Sequence, residues 1–157
     1  MNATDYVVDR SRFPAGPWDS EPDKEVWIDE ATQLDCMVIR NRSGCWCGYV
    51  GVSPGHPFHG ASYDDPEVDV HGGLTYADSC DGHICHVPVT GRPDDVWWFG
   101  FDCHHVGDLS PGSIKFDLEF RAAHPEFADV VDRDTYRTIE YAKVETRRLA
   151  AQLAAMS

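Results

Sequence analysis

Residues 34–52, LDCMVIRNRSGCWCGYVGV, decide the fold of this chain. The run from Leu34 to Ile39 is rich in residues that favour strands, and so is the run from Cys45 to Val52. Between them, Asn41-Arg42-Ser43-Gly44 is a strong turn signal. The stretch therefore predicts two antiparallel strands joined by a tight turn.

One more strand is expected before this pair and two after it. Val26-Trp27-Ile28 is a short apolar run followed by a turn at residues 31–33, which completes an antiparallel meander. Residues 67–70 alternate between acidic and apolar side chains, the period of a half-buried strand. They lead into His71-Gly72-Gly73-Leu74-Thr75-Tyr76, where the glycine pair indicates a bulge. Residues 96–101 are the most hydrophobic run and predict a central strand buried on both faces.

The rest of the sequence predicts an arm, long loops and one helix. Residues 1–24 are polar and interrupted by prolines, so an extended N-terminal arm is expected. Residues 77–95, and the chain beyond Gly107, are expected to be loops. A helix should begin at Asp132 or Asp134 and bury an apolar stripe made of Tyr136, Ile139, Ala142, Leu149 and Leu153. Residues 25–157 are thus predicted to form a single α+β domain, an antiparallel β-sheet with long loops and one C-terminal α-helix.

The composition excludes several classes of protein. The chain has 157 residues, which fits one domain with a hydrophobic core. No apolar run approaches the ~20 residues that span a bilayer, and no secretory signal is visible, so a cytoplasmic protein without membrane contact is expected. The net charge is −14, and residues 53–113 carry ten acidic side chains against one basic, Arg92. Such a field repels phosphate backbones, so nucleic-acid binding is not expected.

Histidines and cysteines are concentrated in residues 56–105, which hold seven of the eight histidines and three of the six cysteines. In a reducing cytoplasm the cysteines are expected to be thiols or metal ligands. A tetrahedral zinc site is one interpretation, with Cys80, Cys85, Cys103 and His105 as ligands and His71, His83 or His86 as substitutes. In the other interpretation Cys103 is a core thiol and the two remaining cysteines lie in a loop.

Acid–base chemistry is a second interpretation of the same region. Asp102, His105 and Asp108 follow the most hydrophobic run, and a histidine beside carboxylates is a usable general base. The candidate catalytic residues of a small hydrolase, with or without a metal, are His71, Asp102 and His105. A surface histidine held by a neighbouring aspartate explains the pattern equally well.

Binding of a small polar molecule without turnover is a third interpretation. Trp97 and Trp98 must point to opposite faces of a strand, so one can line a groove, and Gly72-Gly73 leaves backbone N–H groups accessible. The predicted pocket lies where the 67–76 and 96–102 strands end. Its predicted ligand-binding residues are His71, Gly72, Gly73, Thr75, Tyr76, Trp97, Trp98, Asp102, His105 and Asp108. In the alternative, these tryptophans and glycines serve only packing.

Three blocks of the sequence resemble an uncharacterised family of small proteins from bacteriophages, prophages and actinobacterial genomes. The blocks are GYVGV with GHP in residues 48–57, DVHGGLTY in residues 69–76, and WWFGFDCxH in residues 97–105 followed by Gly107-Asp108. The resemblance covers roughly residues 45–112 and brings no catalytic residues with it. It implies a phage-type accessory protein acting inside a bacterial host.

Under that resemblance, the expected function is to bind a small polar ligand, of which a nucleotide derivative is one example, and so to sequester a host signal. The hydrolase is the first alternative. The second is an acidic interaction module whose charge and terminal helix contact a basic host protein.

Overall fold

The computed structural model describes residues 6–85, 94–127 and 134–157. These residues form a five-stranded antiparallel sheet and two α-helices, which confirms the predicted α+β class. The strands are β1 (Lys24–Ile28), β2 (Asp35–Arg40), β3 (Trp46–Val52), β4 (Tyr76–Asp78) and β5 (Trp97–Asp102). The helices are α1 (Ile114–Ala123) and α2 (Ile139–Ala155). No helix within the described ranges is long and apolar enough to cross a membrane.

The predicted meander forms the first half of the sheet. The strands lie in the order β1-β2-β3-β5-β4, and every pair is antiparallel. At the β2–β3 turn the side-chain oxygen of Asn41 accepts hydrogen bonds from the backbone N–H groups of Ser43 and Cys45, each at 3.0 Å. Gly44 follows with φ +90°, a conformation that favours glycine. The turn signal in residues 41–44 is therefore confirmed.

Helix α2 covers one face of the sheet. Its buried residues Leu149 and Leu153 pack against Phe99 and Phe101 of β5. Gly48 of β3 lets the helix approach, because a Cβ there would collide with the Phe101 ring and with Thr146 of α2. The residues of the predicted apolar stripe that lie in α2 are buried on this side of the helix. β5 lies between β3 and β4, and its residues 98–101 are buried, as the hydrophobic run predicts.

The described part of the N-terminal arm, residues 6–24, packs against the domain through three buried side chains. Val8, Phe13 and Trp18 are buried together in a small apolar cluster. A 3₁₀ turn at Pro17–Ser20 follows, and Trp18 Nε1 donates to the carbonyl of Pro14 at 2.8 Å. The second face of the sheet carries a cluster of Met37, Tyr49, Trp98 and neighbours, against which Tyr6 of the arm packs.

A fully buried guanidinium joins the arm, the sheet and the start of α2. Arg40, at the end of β2, has 0% exposure. Its Nε donates to Asp23 at 2.9 Å, and its terminal nitrogens donate to Glu21 at 3.2 Å and to the hydroxyl of Tyr136 at 2.9 Å. The guanidinium also lies 4.5 Å from the ring centroid of Trp46. Because the partners come from the end of the arm, from β3 and from the segment before α2, this network fixes how those parts meet.

The predicted strand at residues 67–70 does not form. The backbone N–H of Asp69 donates to the side-chain oxygen of Gln152 in α2 at 2.7 Å, and Gln152 donates back to the Asp69 carbonyl at 2.8 Å. The segment therefore bonds to a helix and not to a strand. Gly72 and Gly73, at φ +68° and +77°, form a turn in place of the predicted bulge, and β4 begins only at Tyr76.

The predicted helix boundaries are also corrected. Helix α1 lies in a region predicted to be loop; none of its residues is buried, so no apolar stripe marks it in the sequence. Helix α2 begins at Ile139, where the hydroxyl of Thr138 accepts the backbone N–H of Tyr141 at 3.2 Å as an N-cap. Asp134 is therefore not the cap, and Asp132 lies outside the described residues.

Replacing Arg40 with Met is expected to lower the free energy of unfolding by about 3–5 kcal/mol, because the Glu21 carboxylate loses the cation it pairs with and Asp23 keeps only Arg10. Urea denaturation followed by tryptophan fluorescence measures this. Arg147→Met is the matched control, since that exposed arginine only lies over the Trp27 ring, 5.6 Å from its centroid. Its cost should not exceed about 1 kcal/mol. Equal losses for the two variants would contradict the role given to Arg40.

Candidate functional site

Four predicted site residues lie together at one corner of the sheet. Because β4 and β5 are antiparallel, the loop before β4 lies beside the loop after β5. The rings of His71 and His105 have centroids 6.1 Å apart, and Asp108 and Asp102 contact them. The predicted juxtaposition is present, although a loop and not a strand brings His71 into it.

His71 is engaged through both ring nitrogens. Its Nε2 lies 2.8 Å from Oδ2 of Asp108, and its Nδ1 lies 2.7 Å from the hydroxyl of Tyr141 in α2. An ionised carboxylate only accepts, so Nε2 donates, and in the neutral ring Nδ1 accepts from the tyrosine. Neither nitrogen is left to take a proton from a substrate. His71 therefore ties a loop to helix α2.

Asp108 holds this corner together. Its side chain is 2% exposed, and it accepts hydrogen bonds from His71, from the backbone N–H of His105 at 3.0 Å and from Nε of Arg137 at 2.9 Å. Burial raises the pKa of this carboxyl, but the hydrogen bonds from those three groups outweigh burial and hold its pKa below the usual range. Asp108 is an ionised anchor.

His105 is the more accessible histidine of the corner, with 36% of its side chain exposed. Its Nε2 lies 3.2 Å from Oδ1 of Asp102, but this nitrogen is itself buried and has no hydrogen-bond partner among the described residues. Asp102 accepts from the hydroxyl of Thr75 at 2.9 Å and from the backbone N–H of His104 at 3.0 Å. Of the predicted catalytic set, His105 and Asp102 are therefore the two more exposed side chains, but no hydrogen bond joins them.

The two glycines of the turn differ in role. A Cβ on Gly72 would collide with the ring of His105, whereas a Cβ on Gly73 would meet open space. Gly72 is therefore needed for the close approach of the two loops as well as for its positive φ. Gly73 does not contribute to the corner.

The aromatic residues of the predicted pocket lie elsewhere. Trp98 and Trp97 are four and five residues before Asp102 on one strand, about 13–17 Å away. Trp98 is buried in the core, and Trp97 donates from Nε1 to the carbonyl of Ala61 at 3.0 Å. Tyr76 packs edge-to-face on Tyr49, with ring centroids 5.3 Å apart. The tryptophans do face opposite sides of the sheet, but both serve packing.

The four residues of the predicted zinc site do not come together. Cys80 and Cys85 are joined in a disulfide, which corrects the expectation that all six cysteines are thiols or metal ligands. Among the described residues, no group of three or more histidine, cysteine, aspartate or glutamate side chains is arranged to hold a metal ion. His86, one of the substitutes, lies outside the described residues.

The four free cysteines are all buried, which argues against thiol chemistry at these positions. Burial raises the pKa of Cys45 to about 11 and those of Cys36 and Cys47 to about 12. Burial also raises the pKa of the Cys103 thiol, which is 1% exposed. Cys103 is thus a core thiol, as the second sequence interpretation has it.

A cleft of about 830 Å³ lies beneath the N-terminal arm. Its apolar side includes Val8 and Phe13 of the arm, and its opposite side includes Ser43 and the residues just before α1, among them Gly112 and Ser113. The volume falls in the range typical of small-molecule sites. The arm, which the sequence predicts only as an extended segment, therefore forms one wall of a cavity.

The charged and polar groups of this cleft favour an anion. Arg12 and Arg42 are exposed side chains that line it. Neither forms a salt bridge among the described residues, although the charge of Arg12 contributes to lowering the pKa of Asp9. The imidazoles of His83 and His104 line it as well, against a single acidic residue, Asp9. An indirect signal of this cleft is present in the charge distribution: only one of the 13 basic residues falls in the acidic stretch 53–113, and Arg12 and Arg42 lie outside it.

No protein-family model, curated protein or solved structure matches the chain. The resemblance to phage and actinobacterial proteins stays a prediction.

Replacing Asp108 with Asn is expected to cost about 2–3 kcal/mol at neutral pH, because His71 and Arg137 lose a charged acceptor. Since the folded pKa lies below the usual value of 3.8, the stabilisation is fully present above pH 3.8. The difference in unfolding free energy between wild type and variant should therefore shrink as the pH falls below that value. Urea denaturation over a pH series measures it.

Asp69→Asn is the control, because the Asp69 side chain is 90% exposed and pairs with Arg148 at the surface. It should change stability little at any pH. A constant difference for Asp108→Asn down to pH values well below 3.8 would show that its carboxylate charge does not stabilise the fold.

Proposed function

We propose that this protein binds a small anionic molecule with an apolar or aromatic body in the cleft beneath the arm. The observation that carries the proposal is the pair of exposed arginines, Arg12 and Arg42, that line this cleft against one carboxylate, Asp9, and form no salt bridge among the described residues. A guanidinium is suited to phosphate and carboxylate groups because its donors match their geometry. The apolar side at Val8 and Phe13 would contact the rest of the ligand.

The overall charge of the protein supports a small ligand over a polymer. At a net charge of −14 the long-range field repels a polyanion, whereas a compact anion needs only a locally positive site. The cleft supplies two permanent positive charges against one negative charge from Asp9, and two imidazoles that add positive charge when protonated. Sequestration of a small host signal, the function implied by the family resemblance, is one use of such a site.

Binding without turnover fits the chemistry better than hydrolysis does. The described free thiols are buried, with pKa values raised by that burial, and His71 has both nitrogens engaged. The partly exposed side chains of His105 and Asp102, which lie 3.2 Å apart, are the one observation that favours the hydrolase alternative. It differs from the binding proposal in its residues, so variants separate the two.

Phenyl phosphate, which combines an aromatic ring with a dianionic group, is expected to bind in the millimolar range or tighter, and phenol far more weakly. Titration of ¹⁵N-labelled protein by NMR should shift the backbone amides of Ser43, Gly112 and Ser113. Arg12→Gln and Arg42→Gln should each weaken binding by about tenfold, since a charge-assisted hydrogen bond is lost.

The control variant is Arg147→Gln, which makes the same charge change on an exposed residue that does not line the cleft. It should leave the affinity within about twofold of wild type. Unchanged amide shifts at the cleft throughout the titration, or equal losses for Arg147→Gln and the cleft variants, would reject the proposal. Loss of binding for His105→Ala alone would show that the ligand binds beside His105 and not in the cleft.

A further inference from the structure

The disulfide between Cys80 and Cys85 closes a small turn that reaches the cleft. Inside it, the N–H of Asp81 donates to the carbonyl of Ile84 at 3.1 Å, and the N–H of Ile84 donates back at 2.9 Å. Gly82 has φ +53° between them. The cross-link and the pair of backbone bonds together hold a single tight conformation of residues 80–85.

This turn places His83 in the wall of the cleft. The His83 ring packs edge-to-face against Tyr6 of the arm, with centroids 4.8 Å apart, and its carbonyl accepts Nζ of Lys24 at 2.8 Å. Tyr6 in turn donates from its hydroxyl to the carbonyl of Arg40 at 2.8 Å. The disulfide turn is thereby coupled to the arm and to one side of the proposed binding site.

The two bonded cysteines differ from the other four in accessibility. Cys80 and Cys85 are partly exposed, whereas Cys36, Cys45, Cys47 and Cys103 are each at most 8% exposed. In thiol–disulfide exchange the attacking thiolate must reach one sulfur of the disulfide, so a reductant can react with the partly exposed Cys80–Cys85 bond. A change in redox conditions would therefore act on this turn and leave the core thiols alone.

We propose that Cys80 and Cys85 form a redox-active pair whose oxidised state sets the affinity of the arm cleft for its anionic ligand. The disulfide holds His83 against Tyr6 in the cleft wall. Reduction releases the turn, so His83 has to be ordered again when the ligand binds, and the affinity falls. This inference rests on the proposed function of the cleft and adds its regulation.

A dithiol can reduce the Cys80–Cys85 disulfide in two exchange steps. One thiolate of the dithiol attacks a sulfur of the Cys80–Cys85 bond, which breaks and leaves the other cysteine as a thiolate that takes up a proton. The second thiol of the reductant, as thiolate, then displaces the first cysteine from the mixed disulfide. The protein gains two electrons and two protons, and the dithiol becomes a disulfide.

The test compares oxidised and dithiothreitol-reduced protein by the same NMR titration with phenyl phosphate. Reduction is expected to weaken binding by about three- to tenfold, the loss of one pre-ordered polar contact. A Cys80→Ser, Cys85→Ser variant should bind like the reduced protein under both conditions. Mass spectrometry after brief reduction and iodoacetamide treatment should find the label on Cys80 and Cys85 and not on the buried cysteines.

A His83→Ala variant supplies the matched control. If the disulfide acts through His83, this variant should bind more weakly than wild type, and reduction should weaken it no further. Equal affinity of wild type in the two redox states overturns the inference while leaving the proposed function intact.

Failure of phenyl phosphate to bind in either state would instead reject the proposed function and, with it, control of the affinity. The contact between the His83 and Tyr6 rings, followed by their nuclear Overhauser effect, then tests the turn itself. Its persistence on reduction would show that the disulfide does not position His83.

Discussion

The buried guanidinium of Arg40 is the interaction on which the rest of the structure depends. It has no exposure to solvent, yet each of its three nitrogens has a partner: the carboxylates of Glu21 and Asp23, the hydroxyl of Tyr136, and a backbone carbonyl at the β2–β3 turn. Removing a charge from water costs several kcal/mol, and only a complete set of partners offsets that cost. The arm, the turn and the approach to α2 must therefore all be in place together.

This constraint explains how a polar, proline-interrupted arm becomes part of a cavity. Glu21 also accepts the backbone N–H of Ile139 at 2.6 Å, and Asp23 accepts that of Val8 at 2.7 Å. The arm is thus attached at both ends of its apolar cluster, and the space left between it and the residues before α1 is the cleft. A smaller network of the same kind lies at the corner formed by His71, His105, Asp102 and Asp108. There the buried carboxylate of Asp108 bonds to His71 and to Arg137, just before α2.

The sequence predicts the meander well because strand period and turn chemistry are local properties. The prediction fails where the local sequence pattern indicates one structure and contacts with distant residues produce another. Residues 67–70 alternate like a strand but exchange hydrogen bonds with the side chain of Gln152. Helix α1 alternates apolar and charged residues, and Phe116 and Leu118 remain 68% and 61% exposed, so helical periodicity could not reveal it. Of the predicted site, five polar residues meet, namely His71, Thr75, Asp102, His105 and Asp108. The two tryptophans lie at the other end of β5.

By itself, the sequence determined the α+β class, the first three strands, the hydrophobic run that becomes β5 and the apolar stripe of α2, because each depends on residues a few positions apart. Only the tertiary structure decided which histidine is engaged and which is accessible, that Cys80 and Cys85 are bonded, and that the arm encloses a cleft. These features depend on contacts between distant residues, such as Arg40 with Tyr136 at a separation of 96 and Glu21 with Ile139 at 118. No local pattern encodes such contacts, because they form only when buried polar groups must find partners in the folded chain.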